Sequence, residues 1–136
     1  MEFAADTGSR GNVVLSYGED GIRLRHRTLR ASAIVTVGQV IDWPVTTVGA
    51  LDAAALAPLY ALEVDVVLLA TGARQQFPPR AVYAELLRRG IGLEAMDVGA
   101  ACRTYNVLLA ESRRVALAAV ISPAAAAARP DPPAGR

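Results

Sequence analysis

The first third of the chain carries short runs in which apolar and polar residues alternate, separated by turns rich in glycine and charge. Runs at 13–17 and 22–27 flank a Gly-Glu-Asp-Gly turn, which predicts a β-hairpin. A β-branched run at 33–37 turns at Gly-Gln into a second run at 40–43, where Pro44 ends the strand. The pattern therefore predicts a β-rich N-terminal region.

The rest of the chain alternates between apolar runs and amphipathic segments. The apolar runs predict buried strands at 64–70, 91–96 and 115–121. The amphipathic segments predict helices at 51–62 (with Asp52 as N-cap and Pro58 inside), 79–89 (ended by Gly90) and 99–111. Helices that alternate with strands cross over a parallel or mixed sheet. We therefore expect a three-layer α/β fold with a central mixed sheet, in which the N-terminal β-hairpin region precedes a βαβαβ unit.

Helical periodicity also predicts which side chains of the two later helices face the core. The stripe on 79–89 comprises Val82, Tyr83, Leu86 and Leu87. The stripe on 99–111 comprises Ala101, Cys102, Tyr105, Leu108 and Leu109. We therefore expect Cys102 to be a buried and inert core residue.

The length of 136 residues suits one domain. We expect this domain to span 12–122, between a flexible N-terminus at 1–11 and a disordered Pro/Ala-rich tail at 123–136. The longest internal apolar run is too short to cross a bilayer, and residues 1–12 lack the apolar run of a signal peptide. A cytoplasmic protein without membrane insertion is expected.

Charge and composition exclude several chemistries. The net charge is +1, so no overall field attracts nucleic acid or anionic membranes. All basic residues are arginine, which excludes Schiff-base and P-loop lysines and, together with abundant alanine, indicates a GC-rich, bacterial genome. One cysteine and one histidine exclude a disulfide and a multi-cysteine metal cluster. We predict no catalytic residue, no metal and no cofactor.

Arg23, Arg25 and Arg27 alternate along the predicted strand 22–27 and are expected to share one face. Two interpretations stay open for this stripe: a surface for nucleic acid or an acidic partner, and a solvated edge strand protected by charge. The stripe lacks the interleaved aromatic residues on which single strands stack. We therefore favour the edge strand and predict no nucleic-acid partner.

Polar residues follow two predicted strands at their carboxyl ends, where open α/β sheets usually bind ligands. The candidate ligand- or partner-binding residues are Thr71, Gly72, Arg74, Gln75, Asp97, Arg103 and Asn106. Gly72 permits close approach, and Arg74 suits a carboxylate or phosphate. The alternative for Arg74 is an ordinary loop with a solvated arginine. Arg103 either binds an anion or partner, or pairs with Asp97 to hold its loop.

Two segments of the chain resemble a known family. They are Leu-Leu-Ala-Thr-Gly-Ala-Arg-Gln-Gln-Phe-Pro at 68–78, and Gly-Ile-Gly-Leu-Glu-Ala-Met-Asp at 90–97 continuing through Ala-Ala-Cys-Arg-Thr-Tyr-Asn-Val-Leu at 100–108. With Ser16-Tyr17-Gly18 and Trp43, they resemble the domain of unknown function 498, which includes the mitochondrial complex I assembly factor 3 group. The resemblance covers about 12–122. It implies a three-layer α/β fold with a mixed sheet and no established enzyme activity.

Two functions remain open on these residues. The first is a non-catalytic module that docks a protein partner. The family resemblance implies that such a module could be an assembly factor for a membrane or respiratory complex. The motivation is that no acid–base–nucleophile constellation is visible. The second is a small-molecule site for an anionic ligand, or an enzyme, at the carboxyl edge of the sheet. Neither the partner nor the oligomeric state is predicted.

Overall fold

The computed structural model describes residues 11–18 and 21–123 of the chain. These residues form eight strands and three α-helices, with one short 3₁₀ helix at Val48–Ala50. The predicted flexible N-terminus and disordered tail lie outside the described residues, apart from Gly11 and Pro123.

The elements follow one another in this order: β1 (Val14–Gly18), β2 (Gly21–Leu24), β3 (Thr28–Leu29), β4 (Ala33–Val35), β5 (Val40–Asp42), α1 (Ala53–Tyr60), β6 (Val66–Ala70), α2 (Arg80–Arg88), β7 (Gly92–Met96), α3 (Val98–Ala110) and β8 (Val115–Ala119).

The central sheet has five strands in the order β5-β4-β8-β6-β7. β6 pairs in parallel with β7 and β8, whereas β4 pairs antiparallel with β5 and β8. All five residues of β8 and four of the five in β6 are buried, as in strands covered on both faces. The predicted mixed sheet and βαβαβ unit are therefore confirmed.

Alternate residues of the central strands supply two cores, one on each face of the sheet. Val67 and Leu69 of β6 pack on the side of α1 and α2, where the buried Trp43 indole donates a 2.8 Å hydrogen bond to the carbonyl of Ala55. Leu68 and Ala70 pack on the side of α3 and the three-stranded antiparallel sheet β1-β2-β3. The predicted three-layer arrangement is confirmed.

The predicted arginine stripe on strand 22–27 is wrong. β2 ends at Leu24, whose N–H donates a 2.8 Å hydrogen bond to the carbonyl of Arg27. This tight turn reverses the chain into β3, which the sequence did not predict, so Arg25 and Arg27 leave the face that carries Arg23. Arg27 instead forms an exposed ion pair with Asp42 at 3.0 Å.

The helices lie close to their predicted positions. Asp52 caps α1 as predicted, because its Oδ1 accepts a 3.0 Å hydrogen bond from the N–H of Ala55. In α2 the predicted stripe is too wide: Val82 and Leu86 are buried, but Leu87 is 72% exposed. Leu87 lies roughly 120° around the helix from the centre of that buried pair, beyond the face that reaches the sheet.

Candidate functional site

The loop after β6 is held closed by a buried threonine. Thr71 is only 3% exposed, and its hydroxyl oxygen lies 2.7 Å from the carbonyl of Arg74 and 3.0 Å from that of Met96. The same oxygen accepts a 3.1 Å hydrogen bond from the N–H of Gln76. A short polar side chain that bonds its own backbone stabilises a turn. Thr71 is therefore engaged within the loop.

The two glutamines that follow tie this loop to its surroundings. Gln75 donates from Nε2 to the carbonyl of Ala95 on β7 at 2.8 Å, and Gln76 donates from Nε2 to the carbonyl of Thr71 at 3.0 Å. Gly72 has φ +98°, and its carbonyl accepts a 2.8 Å hydrogen bond from the N–H of Val98. The loop is thus joined to β7 and to the start of α3.

Asp97 begins α3 and is used as its cap. Its Oδ1 accepts a 2.9 Å hydrogen bond from the N–H of Ala100, where a carboxylate also meets the positive end of the helix dipole. Of the two roles that the sequence left open for Arg103, the pairing with Asp97 is wrong. Arg103 lies more than one turn further along α3, and its Nη1 donates to the hydroxyl of Tyr17 at 3.0 Å. Arg103 therefore links α3 to β1.

Asn106 lies about 12 Å along α3 from Val98, away from the loop after β6. Its amide forms two hydrogen bonds with the backbone of Val14 on β1. Oδ1 accepts from the Val14 N–H at 2.9 Å, and Nδ2 donates to the Val14 carbonyl at 2.8 Å. The amide thereby replaces a neighbouring strand at the outer edge of β1. The structure thus places Asn106 against β1, not with the other candidates.

Two side chains of the loop point into solvent. Arg74 is exposed and its guanidinium has no hydrogen bond or ion pair within residues 11–18 and 21–123. Phe77 is 68% exposed, which is unusual for a large aromatic residue. Phe77 is not among the candidate residues predicted from the sequence. One sequence feature could have indicated its exposure: Phe77 directly precedes Pro78-Pro79 and belongs to no apolar stripe of a predicted helix or strand.

Cys102 is completely buried in α3, as predicted. Burial raises the pKa of its thiol to about 12, outweighing the nearby positive charge of Arg103, which lowers it. Burial also raises the pKa of Tyr105, whose hydroxyl donates to the carbonyl of Asn12. His26 is exposed in the turn between β2 and β3. The inertness of Cys102 toward thiol reagents stays a prediction.

Two further searches cover the part of the chain that the structure describes. No cluster of three or more His, Cys, Asp or Glu side chains there is placed to hold a metal ion. No helix in those same residues has the length and apolarity needed to cross a bilayer.

The carboxyl edge of the sheet thus brings Thr71, Gly72, Gln75 and Asp97 into one hydrogen-bonded unit. The side chains of Thr71, Gln75 and Asp97 hold the backbone, whereas those of Arg74 and Phe77 extend from it. A loop fixed in this way can present a guanidinium and an aromatic ring without losing much conformational entropy on binding. The fold and this edge define a small three-layer α/β protein with a preorganised surface loop.

Comparison with known proteins identifies the family. The chain belongs to the family described as Protein of unknown function (DUF498/DUF598), whose model matches residues 14–120. It is 34% identical over 119 residues to the zebrafish (Danio rerio) NADH dehydrogenase [ubiquinone] 1 alpha subcomplex assembly factor 3, an alignment covering 86% of this chain and 68% of that protein.

Two solved structures share the fold. An NMR structure from Xanthomonas campestris is 36% identical, with a TM-score of 0.77 and coverage of 98% of both chains. A crystal structure from Bordetella parapertussis is 34% identical, with a TM-score of 0.77 and coverage of 84% of this chain and 98% of that one. These similarities confirm the family resemblance and the α/β fold predicted from the sequence.

Proposed function

We propose that this protein is a non-catalytic module that docks a partner protein through the loop at 71–77, as an assembly factor for a respiratory membrane complex. The observation that carries the proposal is the exposed Phe77 on a loop fixed by internal hydrogen bonds. Aromatic residues, phenylalanine included, and arginine are enriched in protein interfaces. Phe77 and Arg74 are such a pair within four positions of one loop.

The relatives support the assembly role. The zebrafish protein is named as an assembly factor for NADH dehydrogenase, and it shares 34% identity with this chain. An assembly role of this kind requires a surface that binds a protein subunit. The cytoplasm of a bacterium is the location we propose for this activity.

The alternative, an anionic small-molecule site, has less support. The side chains of Thr71, Gln75 and Asp97 each form a hydrogen bond with a backbone group of the fold. Arg103 is hydrogen-bonded to Tyr17 and Asn106 to Val14. Among the candidate side chains, Arg74 is therefore the charged group left for a ligand, and a single exposed arginine is a weak basis for small-molecule specificity.

Affinity capture from the native host tests the proposal with two matched variants. Phe77→Ala and Leu87→Ala each remove a large exposed apolar side chain, one on the proposed surface and one at the far end of α2. The free energy of unfolding of each variant should lie within about 0.5 kcal/mol of the wild-type value, because both side chains are exposed. We expect wild type and Leu87→Ala to retain subunits of a respiratory complex that Phe77→Ala loses. Equal recovery by both variants would refute the docking surface.

A further inference from the structure

The central sheet ends at β7, and no strand of the described residues covers the outer side of β7. On its inner side β7 pairs with β6, and the N–H of Gly92 donates to the carbonyl of Asp65 at 2.9 Å. Alternate residues of a strand direct their N–H and carbonyl groups to opposite sides. The backbone groups of Leu93 and Ala95, which lie out of phase with Gly92, therefore point outward.

One of these outward groups is covered by a side chain. Gln75 donates from Nε2 to the carbonyl of Ala95 at 2.8 Å, as the backbone N–H of a further strand would do. The N–H and carbonyl of Leu93 and the N–H of Ala95 form no hydrogen bond with any residue that the structure describes. Gln75 is exposed, and a single hydrogen bond of this kind adds little net stability, so an incoming backbone N–H can replace it.

The other outer strands of the described sheets are shorter or are covered by a side chain. β3 has two residues and β5 has three. β1 has five residues, but the amide of Asn106 bonds both outward groups of Val14. Proteins shorten or cover their sheet edges in this way because an open edge is a template for another strand. β7 also has five residues, and its open edge is therefore suited to strand addition by a partner.

The charge on this edge indicates which kind of strand fits. Glu94 lies between the two outward residues, is exposed, and forms no ion pair or hydrogen bond within the part of the chain that the structure describes. If two copies of the chain paired antiparallel and used the outward groups of both Leu93 and Ala95, their Glu94 carboxylates would lie directly opposite each other. Like charges at such a position destabilise the pair. The carboxylate therefore favours a partner strand that carries a basic residue over a second copy.

We infer that β7 binds an extended segment of the partner protein as an added antiparallel strand, with a basic side chain of that segment opposite Glu94. The inference rests on the proposed docking role of the adjoining 71–77 loop and states how the partner is held. In this arrangement Leu93 and Ala95 each exchange hydrogen bonds with the partner backbone, and the partner residue between them faces Glu94 at the closer type of cross-strand pair. Opposite charges there stabilise the pair.

Titrations of the whole chain followed by ¹⁵N–¹H NMR test the edge with three synthetic peptides. The probe is acetyl-Thr-Val-Arg-Val-Thr-amide. The second peptide has glutamate in place of arginine, and the third is the probe with both valine nitrogens methylated. The probe should bind saturably, shift the amide signals of Leu93 and Ala95, and slow the hydrogen exchange of both amides. The glutamate peptide should bind about tenfold more weakly because like charges meet, and the methylated peptide at least about tenfold more weakly because its valines cannot donate.

Three variants of β7 separate strand addition from other binding. Leu93→Pro removes the outward N–H and keeps the bonds to β6, because proline on an edge strand loses a donor that faces solvent. Leu93→Ala is the matched control, since it loses the same half-buried side chain but keeps the N–H. The probe should bind Leu93→Ala within about twofold of wild type and Leu93→Pro at least about tenfold more weakly. Glu94→Arg leaves the backbone unchanged and should bind the glutamate peptide more tightly than the probe.

Several results would overturn the inference. They are equal binding of the probe and its methylated form, equal affinities of the two Leu93 variants, and an unchanged peptide preference in Glu94→Arg. Analytical ultracentrifugation that shows a wild-type dimer abolished by Leu93→Pro would also overturn it, because a second copy would then occupy the edge.

Affinity capture from the native host distinguishes this inference from the proposed docking role. If Leu93→Pro retains a respiratory subunit that Phe77→Ala loses, docking through the loop stands and strand addition is overturned. If Phe77→Ala and Leu87→Ala recover subunits equally while Leu93→Pro loses them, docking through the loop is refuted and strand addition is supported.

Discussion

One amide side chain, Asn106, joins α3 to the N-terminal sheet. The carbonyl and the N–H of Val14 point away from β2, at an edge where a neighbouring strand would normally bond them. A partly buried backbone group without a partner costs free energy comparable to a lost hydrogen bond. Asn106 satisfies both groups at once because its amide carries an acceptor and a donor on one plane. A residue that the sequence offered as a ligand contact is thus explained by packing.

Replacing Asn106 should therefore lower stability markedly. We expect Asn106→Ala to reduce the free energy of unfolding by about 2–3 kcal/mol, because two backbone groups lose their partner. Asn106→Asp should also be destabilising, since a carboxylate would face the Val14 carbonyl. Arg103→Ala is the control: its hydrogen bond to Tyr17 is exposed, and its loss should cost less than about 1 kcal/mol. Urea unfolding would contradict this account if the Arg103 and Asn106 variants lost equal stability.

At the scale of elements, the small sheet β1-β2-β3 depends on a close approach at Gly21. This residue begins β2 with φ +107°, and a Cβ atom there would overlap the carbonyl oxygen of Leu29 on the neighbouring β3 strand. Gly90, which ends α2, also has a positive φ of +75°, but a Cβ atom there would meet open space. Both glycines therefore need a positive φ, but only Gly21 also lies too close to a neighbouring strand to accept a Cβ atom.

This difference predicts unequal effects of alanine. Gly90→Ala should lower the free energy of unfolding by about 1–2 kcal/mol, the cost of the left-handed backbone alone. Gly21→Ala should lower it by more than about 2 kcal/mol, because the overlap with Leu29 adds to that cost. Chemical denaturation of the two variants measures both values. A Gly21→Ala protein at least as stable as Gly90→Ala would show that β3 can move away.

At the scale of the whole molecule, the core between α3 and the central sheet contains two groups that ionise in alkaline solution. Cys102 and Tyr105 are both fully buried there. Burial raises the pKa of both groups because the charged form loses its hydration, and for Cys102 the value rises from 9.0 to about 12. Folding is therefore linked to the protonation of this core.

The linkage predicts that stability falls as the solution becomes alkaline. Above pH 9 the thiol ionises in the unfolded chain but stays protonated in the native protein up to about pH 12. The unfolded state then binds fewer protons, so the free energy of unfolding falls with pH, by up to about 1.4 kcal/mol per unit for this group. Cys102→Ala should be less stable because of the cavity, yet show a shallower slope between pH 9 and 10.5 in urea unfolding. Identical slopes would contradict the buried, protonated thiol.

Much of the fold could be read from local pattern. The continuous apolar runs at β6 and β8 predict strands that are covered on both faces. In the structure, all residues of β8 and all but one of β6 are buried. The capping residue Asp52 and the stop at Gly90 mark helix ends, because caps act through neighbouring backbone groups. Such signals lie within a few residues of what they determine. Strand order, by contrast, depends on contacts between residues far apart in sequence.

The candidate site shows the same division. The sequence by itself determined that Thr71, Gly72, Gln75 and Asp97 follow the carboxyl ends of two strands joined by a helix, where an α/β sheet binds ligands. The structure pairs these two strands in parallel, so the residues meet at one sheet edge. Only the tertiary structure decided that Arg103 bonds Tyr17 and Asn106 bonds Val14, residues 86 and 92 positions away. Helical periodicity predicts which face of the helix carries a side chain. The partner of that side chain depends on which element packs against that face. Long-range packing therefore decided which side chains of this edge remain exposed for binding, and these include the polar Arg74 and the apolar Phe77.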